Sequence, residues 1–181
     1  NVANFLGMIA NIDDNVGAMR AFLKKEGLAE NTIFIFTTDN GTSSGAHIHN
    51  NGMRGRKGSE YDGGHRVPFF IHWPKGGLTG GLDVDTRTSY VDVVPTLIDY
   101  CRVPSPKGVN FDGVNIRPLI ENKAKNWPDR ILVTDSQRVR DPIKWRKSSV
   151  MTCLWRLVNG KEIYDINADP SQKNNIAADN P

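Results

Sequence analysis

The chain has 181 residues, 38% of them hydrophobic and 24% charged, with a formal net charge of +3. That balance belongs to a globular protein able to bury a sizeable core, as one ordinary domain or one compact body with a small appendage. The mild positive excess suits an anionic substrate and does not point to nucleic acid, whose binders concentrate basic residues on one face or arm.

No apolar run approaches the roughly 20 residues needed to cross a bilayer, and the chain opens without a signal peptide. It starts without methionine and inside an expected helix, so it is read as a piece of a longer protein, with any targeting segment in the part that precedes it. In that helix Phe5, Ile9, Ile12, Val16, Met19 and Leu23 recur at spacings of three and four, which predicts one apolar face packed on a sheet and an end near Lys25. Lys24 and Lys25 suit the helix dipole there, and Gly27 is placed for a left-handed cap. Asp13 and Asp14 are adjacent and point apart on a helix, so they read as a solvated face rather than a metal cluster.

Ile33, Phe34, Ile35 and Phe36 form a β-branched and aromatic run that predicts a buried strand, and the run stops at Asp39-Asn40-Gly41. In open α/β sheets ligands gather beyond the carboxyl ends of strands, so Asp39 and Asn40 are candidate ligands for a hard cation, with a plain turn as the alternative. A glycine-rich basic loop follows, with Arg54, Gly55, Arg56, Lys57, Gly58, Gly63, Gly64, His65 and Arg66. Glycines let backbone N–H groups approach a phosphate or sulfate, and a lysine adds a point charge. Arg54 and Arg56 are either substrate contacts or partners of Glu60 and Asp62.

Residues 67–73 predict a second strand whose ladder begins after Pro68. Asp92 is placed as an N-cap, with Pro95 in the first turn of a helix carrying Leu97, Ile98 and Cys101. Residues 102–112 read as a surface connection, and residues 117–120 as a short helical turn. From Trp127 the pattern changes to an antiparallel appendage. Residues 131–134 and 151–158 read as strands, Asn159-Gly160 as a hairpin turn, and the return runs through residues 162–164. The tail, residues 169–181, is expected to be only loosely pinned. Cys101 and Cys153 read as two separate buried thiols. His47 and His49 are two apart in a loop with no third ligand at a metal spacing, so they read as substrate-facing or exposed. His65 is given no catalytic role, and His72 alternates along a strand and reads as structural.

Four stretches in order, NTIFIFTTDNG, RGRKGSEYDGGHRVPFFIHWP, YVDVVPTLIDYCRVP with FDGVNIRPLI, and EIYDINADPSQKNNIA, resemble the second half of the sulfatase family. The resemblance implies an α/β fold of the alkaline-phosphatase-like kind, part of a mixed sheet flanked by helices. Residues 1–126 would be the C-terminal part of the catalytic domain and residues 127–181 the small antiparallel subdomain. It implies hydrolysis of sulfate monoesters, aryl or carbohydrate, with Ca2+ (or Mg2+) bound through Asp39 and Asn40. Lys57 matches the family lysine that contacts the sulfate, with Arg54 and His49 as further candidate substrate contacts. The family nucleophile is a formylglycine, made from a Cys or Ser followed by Pro or Ala two residues on and Arg four residues on. Cys101 meets Val103 and Ser105 at those positions and Cys153 meets Trp155 and Leu157, so neither is the modification site. The nucleophile and the remaining calcium ligands are therefore expected outside this chain, and the chain alone is expected to be inactive. The implied partner is a sulfated small molecule or glycan, in the periplasm, lysosome or extracellular space. Phosphate or phosphonate monoester hydrolysis and non-catalytic binding of sulfated glycans through Arg54, Arg56 and Lys57 are the competing readings.

Overall fold

The structure, a computed structural model, describes residues 2–180. Asn1 and Pro181, at the start of the expected helix and the end of the expected tail, lie outside the described residues. The architecture is mixed α/β, with helices and two antiparallel sheets. By contacts the chain divides into one unit of Asn1–Gly80 with Val133–Pro181 and a second of Gly81–Leu132. In that grouping residues 133–181 belong with residues 1–80, whereas the sequence reading drew its division after residue 126.

In the first unit, α1 (Val2–Lys25) has the predicted length, with Gly27 left-handed at φ 68° behind it. Its predicted packing on a sheet is not found. No residue of α1 is buried, and Ile9, Ile12 and Met19 are 49%, 48% and 56% exposed. The reason is one of size. A 24-residue helix is about 36 Å long, whereas β1 (Phe34–Thr37) and β2 (Phe69–His72) are four residues each, about 13 Å, so most of the stripe has no sheet to face among the described residues. The helix is held near its ends: the Phe5 ring lies on Gly45, and Arg20, Leu23 and Lys24 line a groove with Phe34, His72 and Pro74.

β1 and β2 pair antiparallel, with Phe36 opposite Phe70, and the ladder begins after Pro68 as expected from its missing N–H. β1 is half-buried rather than buried. The Thr37 hydroxyl donates to the Pro68 carbonyl at 2.8 Å, tying the end of β1 to the entry of β2. Between the strands lies a short helix, α2 (Asp62–His65).

The second sheet has the order β3 (Leu132–Asp135), β4 (Ser148–Met151), β5 (Trp155–Val158), β6 (Glu162–Asp165). Residues 151–158, expected as one strand, are broken. The Thr152 hydroxyl accepts the backbone N–H groups of Leu154 and Trp155 and folds the chain back. Cys153 therefore lies in a turn, and both it and Cys101 are exposed, not buried as expected. Asn159 and Gly160, at φ 54° and 63°, make the predicted hairpin turn between β5 and β6. Val158 and Tyr164 from its two strands are fully buried and form the core of this unit with Met151, Ile166 and Leu78.

The expectation of a loosely pinned tail is also overturned. Gln172 is fully buried, the Ile176 N–H donates to the Ile163 carbonyl at 2.9 Å, and the Asp169 carboxylate caps the N–H groups of Lys173 and Asn174.

In the second unit, α3 (Val93–Cys101) has Pro95 in its first turn and ends at a left-handed Arg102. Asp92 precedes it, but its side chain serves elsewhere. It closes a capping box with Ser89 and accepts the Val114 N–H and the Arg130 guanidinium. α4 (Arg117–Ile120) is the predicted helical turn, and Tyr100, Ile116 and Leu119 are the buried residues it helps to cover.

Candidate active site

The site is assembled at the carboxyl end of β1, where the strand gives way to Thr38, Asp39 and Asn40. Asp39 is exposed and Asn40 half-buried. The loop of residues 50–65 is bonded directly onto this strand end. The Gly41 N–H donates to the Gly64 carbonyl at 3.0 Å, and the Lys57 N–H donates to the Thr42 carbonyl at 3.0 Å. Lys57 is thereby anchored two residues from Asn40. The two candidate metal ligands and the candidate sulfate contact, 17 residues apart in sequence, become one surface.

The glycines of the loop have a different job from the one expected of them. A Cβ at Gly41 would run into the Gly63 carbonyl, and one at Gly64 into the Ser59 carbonyl. At Gly63 it would meet the Arg54 and Gly55 carbonyls at 2.6 Å. The N–H groups of Gly41, Lys57, Ser59, Gly63 and Gly64 all donate to backbone carbonyls of the chain. Close packing of backbone on backbone, not a cradle of N–H groups around an anion, is what these glycines allow. Asn50 contributes by donating its side-chain amide to the Met53 and Gly55 carbonyls, both at 2.9 Å. The side chain of Lys57 is left exposed at the surface of a braced loop.

Behind the loop lies a latch that sequence reading missed. Asp62, 1% exposed, pairs with Arg156 of β5, 5% exposed, at 2.8 Å. The Asp62 N–H donates to the Gln172 side-chain oxygen at 2.9 Å. Arg54 does not pair with Glu60 or Asp62. Its guanidinium lies 3.8 Å over the Tyr61 ring, donates to the Tyr164 hydroxyl and the Gln172 carbonyl at 2.9 Å each, and reaches Glu162 at 3.7 Å. Tyr61 and Tyr164 both donate to the Glu162 carboxylate, and burial together with that carboxylate pushes both phenols above their ordinary pKa. Glu60 is taken by the Asn159 side chain at 2.7 Å. Tyr164 and Gln172 both belong to the last of the four family-like stretches, but nothing in a lone sequence tells that their partners Arg54 and Asp62 stand 110 residues earlier.

His47 and His49 are exposed, and His49 directly precedes the loop-bracing Asn50. His65 approaches the Glu60 carbonyl at 3.3 Å, and His72 is half-buried in β2. Among the described residues no group of three or more His, Cys, Asp or Glu side chains is gathered as a metal site. Asp39 and Asn40 offer one carboxylate and one carbonyl oxygen, types that Ca2+ accepts, against the 6–8 oxygens it takes. They fit part of a hard-cation site.

On the other flank of Lys57, Ser43, Arg56 and Gly58 face residues 136–139 and 146–147 across an open groove. No helix among the described residues is long and apolar enough to cross a membrane.

The chain matches two family models, "Sulfatase" over residues 1–103 and "N-sulphoglucosamine sulphohydrolase, C-terminal" over residues 56–181. It is 33% identical over 177 residues to an arylsulfatase of Clostridium perfringens, covering 96% of this chain and 35% of that protein. It is similar to the solved structure of Ps i-CgsB in complex with k-i-k-neocarrahexaose, with a TM-score of 0.80 and 27% identity over 96% of this chain and 38% of that one. It is also similar to a phosphonate monoester hydrolase of Agrobacterium radiobacter, with a TM-score of 0.68 and 28% identity over 96% of this chain and 36% of that one. The chain thus spans little more than a third of the length of these proteins.

Proposed function

The chain belongs to the sulfatase family, and from that premise we propose that the protein carrying it hydrolyses sulfate monoesters, with residues 39–66 supplying part of its cation site and one fixed cation for the sulfate. The observation that carries this is the pair of backbone hydrogen bonds joining the Lys57 loop to the strand end, Gly41 to Gly64 and Lys57 to Thr42. In the reaction a nucleophile bonds to sulfur while the bond from sulfur to the ester oxygen breaks, and negative charge grows on that leaving oxygen. A preplaced ammonium at the end of a braced loop stabilises this charge more in the transition state than in the ground state.

Asp39 and Asn40 would hold Ca2+, or Mg2+, with the other ligands drawn from outside residues 1–181. Such a cation would supply charge neutralisation on the sulfate oxygens. The nucleophile is proposed to be a formylglycine, also outside these residues, since neither cysteine here has the required sequence around it. On this reading residues 1–181 alone are inactive, and steady release of sulfate from an aryl sulfate by the isolated chain would overturn that. The family's usual setting, periplasm, lysosome or extracellular space, is proposed for the whole protein.

The similarity to the Agrobacterium hydrolase supports a second reading, hydrolysis of phosphate or phosphonate monoesters on the same scaffold. Binding of sulfated glycans without catalysis is less well supported, because the Arg54 guanidinium it needs is engaged with Tyr61, Tyr164 and Gln172. The test is turnover of p-nitrophenyl sulfate against an aryl phosphonate ester by the full-length protein and its Lys57→Ala variant. We expect sulfate to be preferred and kcat to fall about 10²- to 10³-fold in the variant, the usual loss on removing one charge-stabilising donor. Preference for the phosphonate would favour the second reading, and no turnover of either, with glycan binding indifferent to EDTA, the third.

A further inference from the structure

The groove beside Lys57 has no assigned role, although five of its ten lining residues are basic: Arg56, Lys57, Arg138, Arg146 and Lys147. No ion pair among the described residues uses any of these five. By contrast Arg54, Arg117, Arg130 and Arg156 each have a carboxylate partner. Among the described residues no carboxylate lines the groove. Asp135, next to it, is held by the Gln137 backbone and side-chain amides, both at 2.8 Å, which keep its carboxyl below the usual carboxylate range.

The segment bearing three of the cations is built rather than loose. Gln137 donates to the Ile143 carbonyl at 3.1 Å and accepts the Ile143 N–H at 2.9 Å, closing residues 137–143 into a ring. The Arg146 N–H returns to the Ile143 carbonyl, and Ser136 donates its N–H to the Lys147 carbonyl at 3.0 Å. Trp145 and Lys147 are left-handed, at φ 68° and 49°, and the Trp145 ring packs so close to the Gly160 turn that a Cβ there would lie 2.7 Å from it. Two strained residues persist only where the surroundings fix them. Like charges held together in this way repel one another, and an anion bridging them relieves that repulsion.

We propose that this groove is a second anion subsite, holding a sulfate or carboxylate group that neighbours the ester at Lys57, so that the natural substrate is a polyanionic glycan rather than a singly charged aryl or steroid sulfate. The inference rests on the sulfate-ester reading of Lys57. Arg138 and Arg146 carry planar forks suited to two-point recognition of such groups, and the braced backbone lowers the ordering cost of binding.

The test pairs two measurements on the full-length protein and its Arg138→Ala/Arg146→Ala variant. One is calorimetric titration with a heparin tetrasaccharide, with its desulfated counterpart and with a DNA oligonucleotide of equal charge. The other is kcat/KM for p-nitrophenyl sulfate. We expect the variant to bind the heparin tetrasaccharide about tenfold or more weakly, the scale of losing two exposed charge-assisted contacts, and the desulfated sugar, left with its carboxylates alone, to bind the unaltered protein more weakly than the tetrasaccharide does. kcat/KM for the singly charged ester should be unchanged. An unchanged affinity for the tetrasaccharide, or equally tight binding of the DNA, would overturn the proposal. The affinity loss intact with no sulfate released from either p-nitrophenyl sulfate or the heparin tetrasaccharide would sink the sulfate-ester reading and leave the anion subsite standing.

Discussion

Asp62 and Arg156 stand 94 residues apart in sequence and form an ion pair that is almost wholly buried, Arg156 Nε to Asp62 Oδ1 at 2.8 Å. Asp62 opens the short helix whose Gly64 carbonyl receives the Gly41 N–H, so the pair joins the antiparallel hairpin to the strand end bearing Asp39 and Asn40. The Arg156 Nη1 is used too, donating to the Thr152 and Trp155 carbonyls. Removing either partner leaves an uncompensated charge in a dry place. Asp62→Ala and Arg156→Ala are each expected to lower stability by roughly 3–5 kcal/mol. Because each single change already breaks the pair, the double variant should lose less than the sum. Denaturant unfolding of the three variants checks this, and additive losses would show that the two side chains act separately.

Gly41 is the second point of control. Any side chain there must displace the Gly63 carbonyl, a backbone atom that cannot rotate away. Gly41→Ala is expected to cost about 1–3 kcal/mol in stability through overpacking. If the Lys57 loop is held by this contact, catalysis should suffer more than stability, with kcat falling well below that of Gly17→Ala in α1, where no atom lies within 4 Å of the added carbon and the backbone is not left-handed. A Gly41→Ala protein with full kcat would mean the loop finds its place by other means.

Arg54 separates recognition from architecture. Its stacking on Tyr61 and its bonds to Tyr164 and Gln172 all lie within one unit of the chain. Arg54→Ala should therefore lower the melting temperature, and Arg54→Lys should not restore it, because an ammonium lacks the planar face and the fork. A substrate contact would behave oppositely, with KM raised and melting unchanged, so the two measurements on both variants decide between the roles.

Asp92 makes a pH prediction for the unit of residues 81–132. Burial alone would raise its pKa, but the Arg130 guanidinium and the N–H groups of Val114 and Ser89 outweigh that and hold it below its ordinary value. A carboxylate whose folded pKa lies below its unfolded value of about 3.9 stabilises the fold above that pH. The contribution is lost as the pH falls further, toward the folded pKa. Hydrogen-exchange protection of the Val114 amide should drop below about pH 4, and Asp92→Asn should show the reduced protection already at neutral pH. Protection independent of pH in the wild type would contradict this.

Local signals were legible and long-range partners were not. Asn159-Gly160 announces its turn because a hairpin of this kind needs two left-handed residues, and Pro68 marks where the ladder starts because it has no N–H to give. The break at Thr152 was hidden in an apolar run, since a hydroxyl bending its own backbone leaves no change in periodicity. The stripe on α1 predicted a helix correctly, but a stripe does not say what covers it, and only Phe5, Val16 and Leu23 of its six residues are even half-buried. At the site, Asp39, Asn40 and Lys57 stood out by residue type and neighbours. Arg156, Gln172 and Tyr164, which fix the loop bearing Lys57, are ordinary residues in sequence and acquire meaning only through distances.

Asp39 and Asn40 carry the last prediction, which turns on binding rather than turnover. A cation that binds the folded protein and not the unfolded chain raises stability by RT ln(1 + [L]/Kd), about 2.7 kcal/mol at a hundredfold excess over Kd. The full-length protein should therefore melt lower in EDTA, and Ca2+ added back should restore the melting temperature. Asp39→Ala should abolish the response, since loss of the anionic ligand removes most of the attraction for a divalent ion, whereas Lys57→Ala should leave it intact, because an ammonium is no ligand. A melting temperature insensitive to chelation would remove Asp39 and Asn40 from the metal site and return them to a turn. Mg2+ restoring the fold as well as Ca2+ would point instead to a smaller, octahedral site.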